Sequence, residues 1–211
     1  MHAWAQLDTW QLLTIAAVLG FASGLRLYAV LFIVGAAGWL GWAQLPPGLE
    51  VLAHPLVLAA SGFMCAVEFF ADKIPAVDTL WDAVHTLIRI PAGAALAAGV
   101  FGDQSPAALT FAAAILGGTL AAGSHLTKSG SRAVINTSPE PFTNWVASFT
   151  EDVAVGGLLW LAFAHPAAAI AVLAVLVALV IWLLPRIWRT LRRMFSRIGG
   201  WFGGGTRPAR P

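Results

Sequence analysis

Apolar residues along this chain gather in long blocks, divided by short clusters of Gly, Pro and charged side chains. The first block, Trp10 to Trp42, is too long for one membrane crossing and too short for two full ones. As a single helix it would reach about 50 Å, against a hydrocarbon core of about 30 Å. Gly20, Ser23, Gly24 and Arg26 interrupt it, so the pattern predicts a short segment Trp10–Ser23, a break, and a second segment Leu27–Trp42. The first of these is short enough to be re-entrant. QLPPGLE, residues 44–50, reads as a turn, and Leu56–Ala71 follows as the next span. Residues 77–89 differ in kind. Val77, Leu80, Trp81, Val84, Leu87 and Ile88 recur at helical spacing, with Asp78, Asp82, His85 and Arg89 on the opposite stripe. Bracketed by Pro75 and Pro91, this stretch predicts an amphipathic helix lying at the membrane surface or against other helices. Ala92–Phe101 is a short apolar piece, and Ala107–Ser124, Phe142–Ala164 and Ala167–Leu184 are further spans.

Composition agrees with this pattern. Only 10% of residues are charged and 59% are hydrophobic, whereas soluble domains carry about 25% charged residues. Backbone groups facing lipid must be paired internally, which leaves helices or a closed barrel. These blocks are too long and too continuously apolar for the alternating strands of a barrel. The fold class is therefore all-α, a polytopic bundle of six to seven membrane segments. Residues 1–185 form the membrane domain, and 186–211 form a basic amphipathic tail with a disordered end. Cys65 has no partner in a chain with one cysteine, and reads as a small buried hydrophobe. The start, MHAWAQLDTW, has no positive charge ahead of its apolar segment and does not read as a cleavable signal.

Basic residues set the orientation. Counting crossings back from a cytoplasmic tail puts Lys128, Arg132, Arg89, Lys73 and Arg26 on the tail's side. Loops 44–55, 102–106 and 165–166 contain no Lys or Arg, as the positive-inside rule requires. RIWRTLRRMFSR then reads as an anchor to anionic lipid rather than a nucleic-acid patch.

The chemistry gathers in three places. Residues 123–145, GSHLTKSGSRAVINTSPEPFTNW, put His125, Lys128, Ser129, Ser131, Arg132, Asn136, Thr137, Glu140 and Asn144 in one polar block. A Gly-containing turn between Lys128 and Arg132 could act as an anion nest, and Thr137 or Ser138 could cap a helix starting at Pro139. The competing reading is a solvated loop. Second, Glu68 and Asp72 lie four apart on one helix face, and Glu151 and Asp152 stand near the middle of a later block. Carboxylates in apolar spans face a cavity or a partner, so these four are candidates for proton or cation coupling, against simple pairing with Lys73, Arg26 or Arg132. Third, Asp78, Asp82 and His85 offer a weak metal-binding face, against a wet stripe. The ten Trp residues mostly stand at span ends, where aromatic belts form. No cofactor motif, Walker loop or hydrolase constellation is present.

Two stretches repeat approximately. LTIAAVLGFASGLR (13–26) resembles LTFAAAILGGTLAAGSH (109–125), and VEFFADKIPAV (67–77) resembles ASFTEDVAVGG (147–157). They predict a duplication, with repeats over 10–75 and 107–160, of the kind that places a transporter's site between halves.

At GLRLYAVLF, EFFADKIPAVDTLWDAVHTLIRIPAGA and KSGSRAVINTSPEP the chain resembles an uncharacterised bacterial inner-membrane family, domain of unknown function 4126, over roughly residues 10–165. The resemblance implies a multi-span protein of the bacterial inner membrane and supplies no reaction, ligand or catalytic residue. From the residues themselves, the expected function is a transporter or channel for a small solute or ion, with a polar site near the cytoplasmic side. The alternative is a membrane scaffold or lipid-interacting assembly protein, and a weaker one is an enzyme acting on a phosphorylated lipid. The expected partners are the bilayer, anionic lipid at the tail and a small solute or ion, with no nucleic acid and room for a homo-oligomer.

Overall fold

A computed structural model describes residues 7–102, 105–137 and 142–202. They form helices throughout, with no strand among the described residues. We number them α1 (Thr9–Trp39), α2 (Pro55–Ala71), α3 (Pro75–Gly99), α4 (Ala107–Ile135), α5 (Phe142–Ala164) and α6 (Pro166–Phe202), with a short 3-10 helix, Pro47–Ala53, ahead of α2. Four of them, α1, α4, α5 and the Pro166–Met194 part of α6, are long and apolar enough to cross a membrane. The 3-10 helix and α2 form a fifth candidate, bent by 70°.

Helix α1 breaks where the small residues and Arg26 interrupt the apolar run. Arg26 has φ −143° and ψ 74°, outside the helical region. The chain turns back there. Leu7, ahead of the first arm, and Gln11, in its first turn, line one cavity with Trp42 and Ala43 beyond the second. A straight helix would hold these ends about 45 Å apart. The two arms form the centre of the bundle, with Ala16, Val18, Leu19, Ala22, Val30 and Val34 fully buried.

Of the two placements open to residues 77–89, α3 takes the one against other helices, and its charged stripe is not wet. The helix continues through Pro91 to Gly99, joining what reads in sequence as two elements. Its charged stripe, Asp78, Asp82, His85 and Arg89, is buried, while Val77, Leu80, Val84, Leu87 and Ile88 are exposed. Amphipathicity fixes which faces differ, not which one looks inward; in a bilayer the apolar face turns out. The same logic extends α4. Its helix runs to Ile135, so Ser124–Arg132 are its last turns and not a loop. Likewise the Arg-rich segment continues α6 through Pro185 without interruption. Residues 203–211, expected to be disordered, lie outside the described residues. Cys65 on α2 is only half-buried.

The two sequence likenesses do not share one symmetry. Gly20 of α1 meets Gly117 of α4, and Gly24 meets Ala121, so those stretches run parallel. The second pair sits on α2 and α5. Pro55, at the start of α2, lies with Trp39 at the bundle end where α5 finishes, so these helices are antiparallel. Nothing in this arrangement supports a duplication.

Candidate functional site

The break in α1 creates a chemical need. Interrupting a helix frees carbonyls of its last turn, and in an apolar setting these must find donors. Arg89 of α3 supplies them, its Nη1 donating to the carbonyls of Gly24 (3.3 Å) and Leu25 (3.2 Å). Lys128 of α4 adds a 3.1 Å bond to Leu25 O. Ser124 Oγ donates to Phe21 O at 2.7 Å. The negative end of the first arm's dipole therefore points at two cations. Both are buried, as are Arg26 and Arg132.

Four buried cations require counter-charges, since an unpaired ion in a medium of low polarity is strongly disfavoured. Five carboxylates supply them, and a sixth stands alongside. Arg26 holds Asp72 (2.8 Å) through Nη1 and Asp152 (3.0 Å) through Nε, and donates from Nη2 to Ser148 Oγ. Arg89 pairs with Glu68 and, at 3.2 Å, with Asp82. Lys128 Nζ lies 2.7 Å from Asp72 and 3.3 Å from Glu151. Arg132 reaches Glu151 at 3.1 Å, the carbonyl of Asp72 at 3.2 Å and Asn144 Oδ1 at 3.0 Å. The sixth carboxylate, Asp78, accepts from Asn136 Nδ2 at 3.1 Å. Five helices thus contribute to one cluster, in which carboxylates exceed buried cations by two. Lys73, half-exposed over the Phe69 ring, would reduce that excess to one. Asp72 lies in the turn after α2. Burial pushes its carboxyl up, but Lys128 and Arg26 outweigh this and hold it below the ordinary carboxylate range.

The candidates from sequence divide cleanly. Glu68, Asp72, Glu151 and Asp152 all join the cluster. From the polar block, His125, Lys128, Arg132, Asn136 and Asn144 do so, because positions 125, 128 and 132 share one face of α4. His125 accepts or donates to Thr86 Oγ1 at 2.7 Å through Nε2 and meets Arg89 through Nδ1. Ser129 turns away and lines an apolar groove with Trp188 and Leu191. Among the described residues, Ser131 and Thr137 donate to carbonyls of their own helix end. Glu140 lies outside the described residues, as do Ser138 and Pro139. No anion nest forms between Lys128 and Arg132. Gly130 is helical, so backbone N–H groups there are used within α4; the Gly residues with positive φ among the described residues are Gly41 and Gly102. His85 parts from Asp78 and Asp82. Its Nδ1 faces Trp81 O and its Nε2 faces Tyr28 OH, with Trp81 stacked at 4.0 Å. Asp72 stands with Asp78 and Asp82 instead.

Sequence reasoning left out Arg89 and Ser148, and gave Arg26 only a pairing role. A signal for Arg89 existed: charges at 78, 82 and 89 share one stripe on a helix whose other faces carry no charge. Cavities elsewhere in the bundle, such as one of about 160 Å³ between Leu7, Gln11, Trp42 and Pro166, are not lined by the clustered charges.

No curated protein and no solved structure matches the chain. A family model does match, over residues 12–186, and so takes in the broken α1, both cation-bearing helices and the start of the Arg-rich segment. The chain belongs to the family described as domain of unknown function (DUF4126).

Proposed function

We propose that the protein is an integral membrane transporter or channel for a small ion or solute, with the buried charge cluster as its site. The observation that carries this reading is the broken α1, whose freed carbonyls meet Arg89 and Lys128 amid an excess of carboxylate. Ionisable groups within apolar helices are disfavoured by roughly 2.5–3.5 kcal/mol each on insertion scales, and where they occur they mark ion or proton paths. Discontinuous helices at such sites are a recurrent feature of transporters. The carboxylate excess favours a cation, as cargo or as the coupling ion. In this reading α3 also crosses the bilayer, apolar face outward, and the two arms of α1 give seven crossings in all. The cluster and the Arg-rich end of α6 then share the cytoplasmic side of a bacterial inner membrane, where Arg186, Arg189, Arg192 and Arg193 meet anionic lipid.

Flux into vesicles containing the purified chain tests this. Wild-type protein carries protons, a divalent cation or a small solute, and Arg132→Ala abolishes uptake while helix content and monodispersity persist. Undiminished uptake by the variant would remove the cluster from the pathway. A second reading has its own support: each buried cation is already paired, and none of the cavities described above reaches the cluster. A static brace in a scaffold or assembly protein has that form. It predicts that wild-type vesicles show no flux above empty ones, although Arg132→Ala still lowers the melting temperature.

A further inference from the structure

We infer that Asp72, Asp78 and Asp82 form a binding site for one hard divalent cation, of the Mg2+, Mn2+ or Ca2+ class. The three carboxylates come from the α2–α3 turn and from one face of α3, and each offers an oxygen within 4.8 Å of the others. That spread suits oxygen ligands around one ion at about 2.0–2.6 Å. Proximity alone is weak ground, since acidic groups often cluster. A second observation points to a ligand. Asp72 Oδ1, Asp78 Oδ1 and both oxygens of Asp82 have no hydrogen-bond partner among the described residues, in side chains that are 0%, 0% and 1% exposed. Three buried carboxylates this close repel, and leaving an oxygen of each without a hydrogen bond is costly. A bound cation answers both problems.

The donor set fixes the class of ion. All three ligands are carboxylate oxygens, which suit hard cations and not soft ones. The nearby imidazoles are engaged elsewhere, His125 with Thr86 and Arg89, His85 with Trp81 and Tyr28. Asn136, bonded to Asp78 Oδ2 and to Pro75 O and Thr79, covers the site on the side of the exposed Thr79. The competing charge is Lys128, whose Nζ sits 2.7 Å from Asp72 Oδ2 and 3.8 Å from Asp82 Oδ1. Arg89 also lies 3.2 Å from Asp82 Oδ1. Glu151 Oε2, 3.3 Å from the same Lys128 ammonium, offers it a place when a cation arrives. As cargo or coupling ion the cation rests on the transport reading above; its binding does not.

The test uses the full chain in detergent and Mn2+ as the probe, followed by electron paramagnetic resonance. Wild-type protein binds one Mn2+ per chain, and Mg2+ or Ca2+ displaces it. Asp78→Asn, isosteric and farthest from the ion pairs, weakens binding at least about tenfold, since losing even an outer-shell partner costs that much. Glu50→Gln, on an exposed carboxylate away from the cluster, binds like wild type. Asp82→Asn serves if the first variant does not fold. Absence of bound Mn2+ in the wild type, or unchanged affinity in a folded Asp78→Asn or Asp82→Asn variant, overturns the site. Binding without any flux leaves the site standing and removes the transport reading, whereas flux of protons or a solute without Mn2+ binding does the reverse.

Discussion

Helices α1, α3 and α4 meet in two adjoining regions that hold together by opposite means. Along the seam, backbones approach so closely that a Cβ at Gly20 would stand 2.4 Å from Gly117 Cα, and one at Gly24 would stand 2.3 Å from Ala121 O. Gly93 fits against Ala121 and Ser23 in the same way. Beyond these small residues on α3 and α4, toward one end of the bundle, Arg89, Lys128 and Arg132 take the place of the glycines. Lipid tails are as apolar as the helices, so burial of apolar surface does not drive association here. What remains is close contact, which small residues permit, and polar pairing. The seam depends on the absence of atoms; the charged end depends on each buried cation having its counter-charge.

The largest effect therefore comes from adding atoms to the seam. Gly117→Val sets a branched side chain where Ala97 Cβ already lies 2.3 Å from the position of a Cβ and Gly93 O lies 2.6 Å away. Neither backbone can yield without separating α3 from α4. The destabilisation should exceed the 1–3 kcal/mol of ordinary overpacking, roughly speaking. Size-exclusion chromatography after extraction should show aggregated or absent protein. A monodisperse Gly117→Val variant with wild-type melting would mean that the seam is not a close-packed contact.

At the charged end, removal ranks above addition. Arg89→Met strands Glu68 and Asp82 together and leaves the carbonyls of Gly24 and Leu25 with one donor fewer. Breaking a buried pair on one side costs about 3–5 kcal/mol. Glu68→Gln should cost less, because Arg89 retains Asp82 and both carbonyls. Unfolding by SDS in mixed micelles gives both values. Equal losses, or an Arg89→Met effect within error of zero, would show that the cluster does not brace the break in α1.

The same contrast explains what the sequence could and could not reveal. Apolar blocks locate helices because their length and continuity are local properties, and the interruption at Gly20–Arg26 marks the break in α1 for the same reason. The inward turn of α3 is not local. Its stripe of Asp78, Asp82, His85 and Arg89 looks alike on a helix bathed in water and on one facing a polar bundle interior. Only the partners decide, and these come from Glu68, Lys128 and the carbonyls of Gly24 and Leu25, far away along the chain. Similarly, Lys128-Ser-Gly-Ser-Arg132 reads as a turn from composition, yet its basic residues fall on one helical face beside their counter-charges, and that pairing lets the helix continue to Ile135. The candidate residues were legible by type. Their grouping was not, because His85 leaves the acidic set and Asp72 enters it through tertiary contacts alone.

The smallest effect sharpens the comparison by reversing its sign. Gly156 and Gly157 of α5 have nothing within 4 Å of where a Cβ would stand. They share with Gly117 a position in the interior of a long apolar helix, and so share its conformational liability: a helical glycine is less favourable than alanine by about 0.5–1 kcal/mol. At Gly117 that liability is outweighed by the contact it allows. At Gly156 no contact offsets it. Gly156→Ala should raise stability by about 0.5–1 kcal/mol in the same SDS titration, leaving flux and Mn2+ binding unchanged. Loss of stability instead would require a neighbour at that face, such as a second copy of the chain packed against α5. The glycines would then form two seams, one within the bundle and one outside it.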